Sequence, residues 1–434
     1  MIVIKTLPEI LEKLGVKGLN EMQSEAQAAI DSNADIIIQS PTGTGKTLAF
    51  LLPIIRSIKT NTAVLQALVV VPTRELAIQI EQVVREMGSG LKINSVYGGH
   101  SFNQDRLNLK HPPELIVGTP GRLADHIRRG TIDTHQIEYL VLDEFDKSLE
   151  IGFEDEMKQI INQLDGVQKR ILTSATMGIS IPEFMHLSNP VLIKSNDFGE
   201  ARMELKKLVS PTKDKIQTLS DGLEKLVNKR GIVFCNFKDS IQRISDHLFE
   251  MGISHGCFYG GLDQHHRELS LLKFRNGTHN IILATDLAAR GLDVPDLDYI
   301  IHYHLPLKEH EFVHRNGRTA RMHSHGTVYI LQSKNEHIPD YLPKLDVAQL
   351  QSSGEKKQYW KTVKFSAGRR DKVSKGDIAG LCYKKGGLQR DELGPIELMS
   401  DASYVAVKAE KVLELIHALN GARLKKNKLR VSGC

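Results

Sequence analysis

The segment Ser40-Pro41-Thr42-Gly43-Thr44-Gly45-Lys46-Thr47 has the residue types and spacing to hold a triphosphate. Glycines at 43 and 45, alternating with Thr42 and Thr44, let the backbone curl so that successive N–H groups point at phosphate oxygens. Lys46 can then reach the β- and γ-phosphates, and the Thr47 hydroxyl can ligate Mg2+. The first position is Ser40, where the general pattern has Gly, so the context matters: an apolar strand before and a helix after are both as a phosphate loop requires. Further on, Val141-Leu142-Asp143-Glu144-Phe145-Asp146 ends an apolar run in adjacent carboxylates, as a buried parallel strand does when it delivers acids to its C-terminal edge. On its own that stretch reads as a strand running into an ordinary loop. With a phosphate loop upstream, Asp143 is expected to hold Mg2+ through water and Glu144 to orient or deprotonate the water attacking the γ-phosphate. A third group, His314-Arg315-Asn316-Gly317-Arg318-Thr319-Ala320-Arg321, sets Arg318 and Arg321 about one helical turn apart. Alone, such a helix is more often a solvated face. If its domain closes on ATP, the two arginines would neutralise charge in the transition state.

The elements that must position these groups alternate along the chain. Asp35 to Gln39, Ala67 to Val71, Glu114 to Val117, Tyr139 to Leu142 and Arg170 to Thr173 read as short strands, and Thr47 to Ile58, Arg74 to Met87 and Phe153 to Leu164 as amphipathic helices. That alternation predicts a doubly wound α/β domain over 1–198. After a polar stretch, Lys194 to Met203, it restarts: strands at Ile232 to Cys235, Asn280 to Ala284, Leu297 to Tyr303 and Thr327 to Leu331, with helices near Ser240 to Met251 and Gln264 to Asn276, predict a second domain over 204–350. Beyond 358 the order becomes strand, helix, strand, strand, helix, strand: Lys361 to Ala367, Lys375 to Lys384, Pro395 to Met399, Ser403 to Lys408, Lys411 to Leu419 and Lys428 to Val431. This is the layout of a small α+β, RRM-like unit over 358–434.

Composition bounds the function classes. With 434 residues, 41% hydrophobic and 25% charged, the chain is ordinary globular protein with room for two or three cores. It carries no apolar run of membrane-span length and no secretory leader at Met1 to Ile10, so a soluble, cytoplasmic protein without membrane contact is expected. Four cysteines without a Cys-x-x-Cys pair argue against zinc or a disulfide framework. Net charge is +5, but residues 355–434 hold 18 Lys plus Arg against 9 Asp plus Glu, or +9, leaving −4 for the rest. A basic tail of this kind points to a polyanion, with nucleic acid the leading candidate.

The sequence resembles the DEAD-box RNA helicases over about residues 15–335. The resemblance is carried by the phosphate loop, Pro72-Thr73-Arg74-Glu75-Leu76-Ala77, Gly98-Gly99, Thr119-Pro120-Gly121-Arg122, Asp143 to Asp146, Ser174-Ala175-Thr176, Ala284-Thr285-Asp286, Arg290-Gly291-Leu292-Asp293 and the group at 314–321, all in family order. It implies two tandem RecA-like doubly wound parallel-sheet domains and an ATPase driven by RNA. It further implies that Gln23 reads the adenine edge, that Asp293 contacts the ribose, and that His314 links the second domain to the nucleotide and the carboxylates. Ser174 and Thr176 would contact Asp146 and couple hydrolysis to RNA release. Arg74, Gly99, Thr119 and Arg122, with Arg267 and Thr285 of the second domain, would grip the RNA backbone, a mode that tolerates any sequence.

Several departures from the family pattern matter, among them Val16 where an aromatic is usual. Leu19-Asn20-Glu21-Met22-Gln23 replaces the usual Pro-Thr-Pro-Ile-Gln, Asn316 and Ala320 replace Ile and Gly, and Phe145 gives the acidic segment an Asp-Glu-Phe-Asp form with a large ring where Ala is usual. The tail resembles the RNA-binding domain of the DbpA-type helicases through Lys375 to Leu381, Ser403 to Val407 and its closing basic strand. That resemblance implies action on structured ribosomal RNA during large-subunit assembly, by a monomer working on a pre-ribosomal particle. Phe365 and Tyr404 are the aromatic candidates for stacking bases on the tail sheet; Arg369, Arg370, Lys425, Lys426, Lys428 and Arg430 are the phosphate candidates. An ATP-gated RNA clamp with little unwinding needs the same binding residues but not turnover, and a DNA helicase is a weaker third reading.

Overall fold

The structure is a computed structural model and describes residues 6–32, 35–41, 43–60, 62–99, 101–175, 181–195, 203–286, 297–317, 319, 326–334, 336–350, 354 and 359–434. The chain divides into two compact units, one holding the first large sheet and the other holding the second sheet together with the tail.

In the first unit the strands are β1 (Ile36–Gln39), β2 (Ala67–Val70), β3 (Ile93–Val96), β4 (Leu115–Gly118), β5 (Tyr139–Leu142), β6 (Lys169–Ser174) and β7 (Val191–Lys194). They pair in the order β3-β4-β2-β5-β6-β1-β7, all parallel. β1, β2, β4 and β5 are buried along their whole length, which is why they read as near-continuous apolar runs rather than alternating ones, Gln39 at the end of β1 being the polar member. The helix Arg74–Met87 starts where Thr73 accepts the Leu76 N–H through its side chain at 3.2 Å, and it stops at Gly88 in left-handed backbone (φ 60°). β3 and the helices Phe102–Asn108 and Pro120–Arg128 lay outside the sequence expectation. β3 is half polar, with buried ends and Asn94 and Ser95 partly exposed between them.

The second unit repeats the architecture with β8 (Met203–Ser210), β9 (Gly231–Phe234), β10 (Gly256–Phe258), β11 (Ile281–Ala284), β12 (Tyr299–His302), β13 (Gly326–Ser333) and β14 (Asp346–Val347), in the order β10-β11-β9-β12-β13-β8-β14 and again parallel. No helix among the described residues is long and apolar enough to cross a membrane. All four cysteines are free thiols.

The tail has β15 (Trp360–Phe365), β16 (Leu393–Leu398), β17 (Ser403–Lys408), the hairpin β18 (Arg423–Leu424) and β19 (Asn427–Lys428), and β20 (Val431–Gly433). Its main sheet is antiparallel in the order β16-β17-β15-β20, backed by the helices Lys375–Lys384 and Val412–Leu419. The single closing strand expected at Lys428 to Val431 is in fact two pieces. Lys425 adopts left-handed backbone (φ 53°) and turns the hairpin, and only from Val431 does the chain pair with β15.

One face of this sheet is covered by the second large domain. Tyr404 and Ala402 are buried in one cluster with Leu272. Thr362 completes a buried ring: the Thr278 hydroxyl donates to Asn276 Oδ1 (2.8 Å), Asn276 Nδ2 donates to Thr362 Oγ1 (2.9 Å), and the Thr362 hydroxyl is thereby left to donate to Thr278 Oγ1 (2.8 Å). Phe365 points the other way, into the tail's own core. Neither aromatic candidate for base stacking is available on an open sheet face.

Candidate active site and nucleic-acid interface

The C-terminal edge of the first sheet collects most of the residues singled out in that domain, and strand order sorts them. β5, β6 and β1 are neighbours: the acids follow β5, Ser174 ends β6 and the phosphate loop follows β1; β3, β4 and β2 are neighbours, and Gly98-Gly99, Thr119 to Arg122 and Arg74 follow those. The two groups meet where β2 pairs with β5. Ligands of open α/β sheets bind outside such strand ends.

In the phosphate loop Gly43 and Gly45 both take left-handed backbone at φ 87°. At Gly45 a Cβ would also lie 2.3 Å from Gln23 Nε2, so a side chain there would displace the Gln23 amide. Lys46 is buried at the helix start, donating to the Ser40 carbonyl (2.6 Å) and the Pro41 carbonyl (2.8 Å). Thr44 donates to the Pro41 carbonyl at 2.9 Å and accepts from the Ser40 hydroxyl at 2.7 Å, so Ser40 has a bracing role that Gly could not fill. The Gln23 amide is tied at both ends: Oε1 accepts the Asn20 N–H (3.0 Å) and Nε2 donates to the Gly45 carbonyl (3.2 Å). Asn20 adds a bond from Nδ2 to the Thr44 carbonyl at 3.0 Å, so the altered adenine segment braces the loop directly.

The acids lie opposite. Asp143, Glu144 and Asp146 are all buried, and Glu144 holds left-handed backbone (φ 49°, ψ 47°), uncommon for a side chain of its size. Thr173, which the sequence reading passed over as a strand residue, supports this turn: its Oγ1 accepts the Glu144 N–H at 3.1 Å and donates to Asp143 Oδ1. Burial, and next the neighbouring Glu144, push the Asp143 carboxyl up to about 6, while Thr173 and Lys46 act in the opposite direction. Two carboxyls crowded at a buried strand end, with the half-buried Thr47 at the start of the loop's helix, form a hard-oxygen donor set that fits Mg2+. Phe145 turns away into the core beneath, in the cluster that holds Leu142, Met157, Ile160, Leu172 and Met185. Ser174 is buried, and its carbonyl accepts the Ser40 N–H at 3.1 Å, joining its strand end to the phosphate loop.

On the other half of the edge, Arg74 lies against Gly98-Gly99 so closely that a Cβ at Gly99 (φ 95°) would sit 2.3 Å from Nη1. Thr119 precedes the helix bearing Arg122, and its N–H donates to the Val96 carbonyl at 3.1 Å. In the second domain, Arg267 lies over the Phe258 ring (5.6 Å) and the Thr285 N–H donates to the Phe258 carbonyl (3.3 Å), so those two candidates share one anchor. His314 is half-buried on the helix Glu309–Asn316. Its neighbour Arg315, to which the sequence reading gave no role, clamps that strand edge: it pairs with Asp286, donates from Nη1 to the His304 carbonyl (2.6 Å) and from Nη2 to Asn236 Oδ1 (2.8 Å). Thr42, Thr176, Asp293, Arg318 and Arg321 lie outside the described residues.

The DEAD/DEAH box helicase profile matches residues 20–184, the helicase conserved C-terminal domain 214–323, and the DbpA RNA binding domain 362–432. The chain is 32% identical to ATP-dependent RNA helicase DbpA of Escherichia coli (strain K12), covering 97% of this chain and 95% of that one. It is 28% identical to ATP-dependent RNA helicase DbpA of Bacillus subtilis (strain 168), covering 97% and 96%. Among solved structures, S. cerevisiae Dbp5 bound to RNA and ADP BeF3 superposes with a TM-score of 0.67 at 25% identity, over 76% of this chain and 88% of that one. Mss116 bound to ssRNA and UDP-BeF superposes at 0.66 and 25% identity, over 77% and 74%.

Proposed function

Since the chain belongs to the DEAD-box ATP-dependent RNA helicases, a family of RNA-dependent ATPases with RecA-like domains, we propose that it locally unwinds or remodels structured ribosomal RNA during large-subunit assembly. The observation that carries this reading is the division of one sheet edge between a phosphate loop facing buried acids and a row of groups suited to an RNA backbone. The ribosomal target rests on the tail's likeness to the DbpA RNA binding domain.

In the proposed chemistry the loop N–H groups from Thr42 to Gly45 cradle the phosphates and Lys46 neutralises charge at the γ-phosphate. Thr47 and Asp143 would hold Mg2+, which would supply charge neutralisation at the phosphates. Glu144 takes the proton of the attacking water, its carboxylate aimed by the left-handed turn that Thr173 supports. Arg318 and Arg321 stabilise the transferring phosphoryl group. Asp293 binds the ribose, and His314 senses the nucleotide. Asp146, with Ser174 and Thr176, relays hydrolysis to the RNA-binding groups Arg74, Gly99, Thr119, Arg122, Arg267 and Thr285.

ATP turnover by the full chain, with and without ribosomal RNA, tests the reading. Stimulation by ribosomal RNA, together with loss of multiple-turnover unwinding in Glu144→Gln, is the expected result. Turnover indifferent to every RNA would remove the helicase assignment, and cellular function retained by Glu144→Gln would favour an ATP-gated clamp.

A further inference from the structure

Arg122 does not stand alone on its helix. Asp105, on the helix Phe102–Asn108, accepts from Arg122 Nε at 2.8 Å, and Nη2 lies 2.7 Å from the same carboxylate oxygen. The two side chains are only 13% and 10% exposed, so this is a shielded pair rather than a mobile surface bridge. Phe102 packs the other components together: Arg122 lies over its ring at 5.2 Å and Arg129 at 4.5 Å, and His126 stacks on it at 4.4 Å with 17° between the planes. His126 is fully buried and oriented from behind. The Thr131 hydroxyl donates to the His126 carbonyl at 2.9 Å and lies 2.8 Å from His126 Nδ1. On the other side of the ring Nε2 faces Asp105 at 3.5 Å. Burial alone would raise the Asp105 carboxyl; the bonds from His126 and Arg122 outweigh it and hold the group below its usual range, as an anion.

We propose that Asp105 is a positioning residue for RNA: it locks the Arg122 guanidinium against Phe102, so that the arginine meets a backbone phosphate already ordered. The proposal rests on the reading of Arg122 as an RNA contact. The physical reason is entropic. An unrestrained arginine loses about 2 kcal/mol of rotamer freedom when it is immobilised on a ligand, and a partner that holds it beforehand removes much of that cost. A guanidinium spreads five N–H donors over three nitrogens, so in general it can hold a carboxylate and a phosphate at once. The opposing effect is that the carboxylate lowers the positive potential at Arg122, and the sign of the Asp105 variant decides between the two.

The experiment measures affinity of the full chain for a fluorescent uridine oligonucleotide over a salt series, and the KM for ribosomal RNA in ATP turnover. Four proteins are compared with the parent: Asp105→Ala, the isosteric Asp105→Asn, Arg122→Ala and the Asp105→Ala/Arg122→Ala double variant. Loss of one phosphate contact in Arg122→Ala lowers the slope of log affinity against log salt by about 1. Asp105→Ala is expected to weaken binding and raise the KM for RNA about fivefold, with kcat at saturating RNA retained and the salt slope unchanged; Asp105→Asn should give a smaller change in the same direction. In the Arg122→Ala background the Asp105 effect should vanish. Tighter binding by either Asp105 variant, or an Asp105 effect that persists without Arg122, overturns the proposal. An unchanged affinity and slope in Arg122→Ala removes the underlying reading of Arg122 and the proposal with it.

Discussion

His302 donates from Nε2 to Asn316 Oδ1 across 2.9 Å, and both residues are buried. The proton sits on Nε2 because Arg315 Nη1 faces Nδ1 at 3.2 Å and can only donate. Burial and then Arg315 hold His302 down at about 3, so it works as a neutral imidazole. Asn316, a departure from the family pattern in sequence, is thereby explained as the acceptor for a buried ring N–H. Asn316→Ile is expected to destabilise the chain by about 1 to 3 kcal/mol, because it strands that donor. Adding His302→Phe to Asn316→Ile should recover part of the loss. Thermal unfolding of the single and double variants checks the coupling, and additive effects would refute it.

Asp143 supplies a pH dependence. Its carboxyl titrates near 6 in the fold against an ordinary value of 3.8, so the folded state holds the proton more tightly. Stability from the protonated form is full below about pH 4 and is lost as pH rises through about 6, by at most about 3 kcal/mol. Asp143→Asn should therefore unfold at a higher temperature than the parent at pH 7 without nucleotide, with the difference closing towards pH 4. ATP turnover should be lost in the same variant. Equal unfolding temperatures at pH 7 would show that burial does not raise the affinity of this carboxyl for its proton.

Thr173 should matter to turnover through Glu144. Thr173→Val removes the acceptor of the Glu144 N–H and the donor to Asp143, leaving the left-handed turn without its brace. We expect kcat to fall about tenfold or more, the order of a misaligned general base, with the KM for RNA little changed. Thr173→Ser keeps the hydroxyl and should keep most activity. Equal kcat in the valine and serine variants would show that the hydroxyl has no such role.

Docking of the tail can be probed at Thr362. Thr362→Val leaves Asn276 Nδ2 facing a methyl group and breaks the ring with Thr278, a cost of about 1 to 3 kcal/mol at a buried site. Amide hydrogen exchange should then rise in β15 and β17 while β9 and β12 stay protected. Unchanged exchange in β15 and β17 would mean that the ring does not hold the face closed.

Much of this protein was legible before any coordinates. The parallel strands announced themselves because burial on both faces forces unbroken apolar runs such as Ala67 to Val70 and Tyr139 to Leu142. The phosphate loop could be read because only glycine tolerates the backbone at Gly43 and Gly45. β3 was missed since half of its side chains are polar, and the closing tail strand was misplaced because a left-handed Lys425 gives no compositional warning. What local sequence could not express is partnership at a distance. Thr173 reads as one more β-branched strand residue until parallel pairing of β5 with β6 sets it beside Glu144. Asp105 shows its role only where the fold sets it beside Arg122, and Tyr404, a candidate for base stacking, turns out to pack in one cluster with Leu272. Backbone conformation and burial period are written residue by residue, and the sequence by itself determined them. Which side chains complete one another's hydrogen bonds across 17, 29 or 86 positions was decided by the tertiary structure alone, because only packing brings such groups within reach.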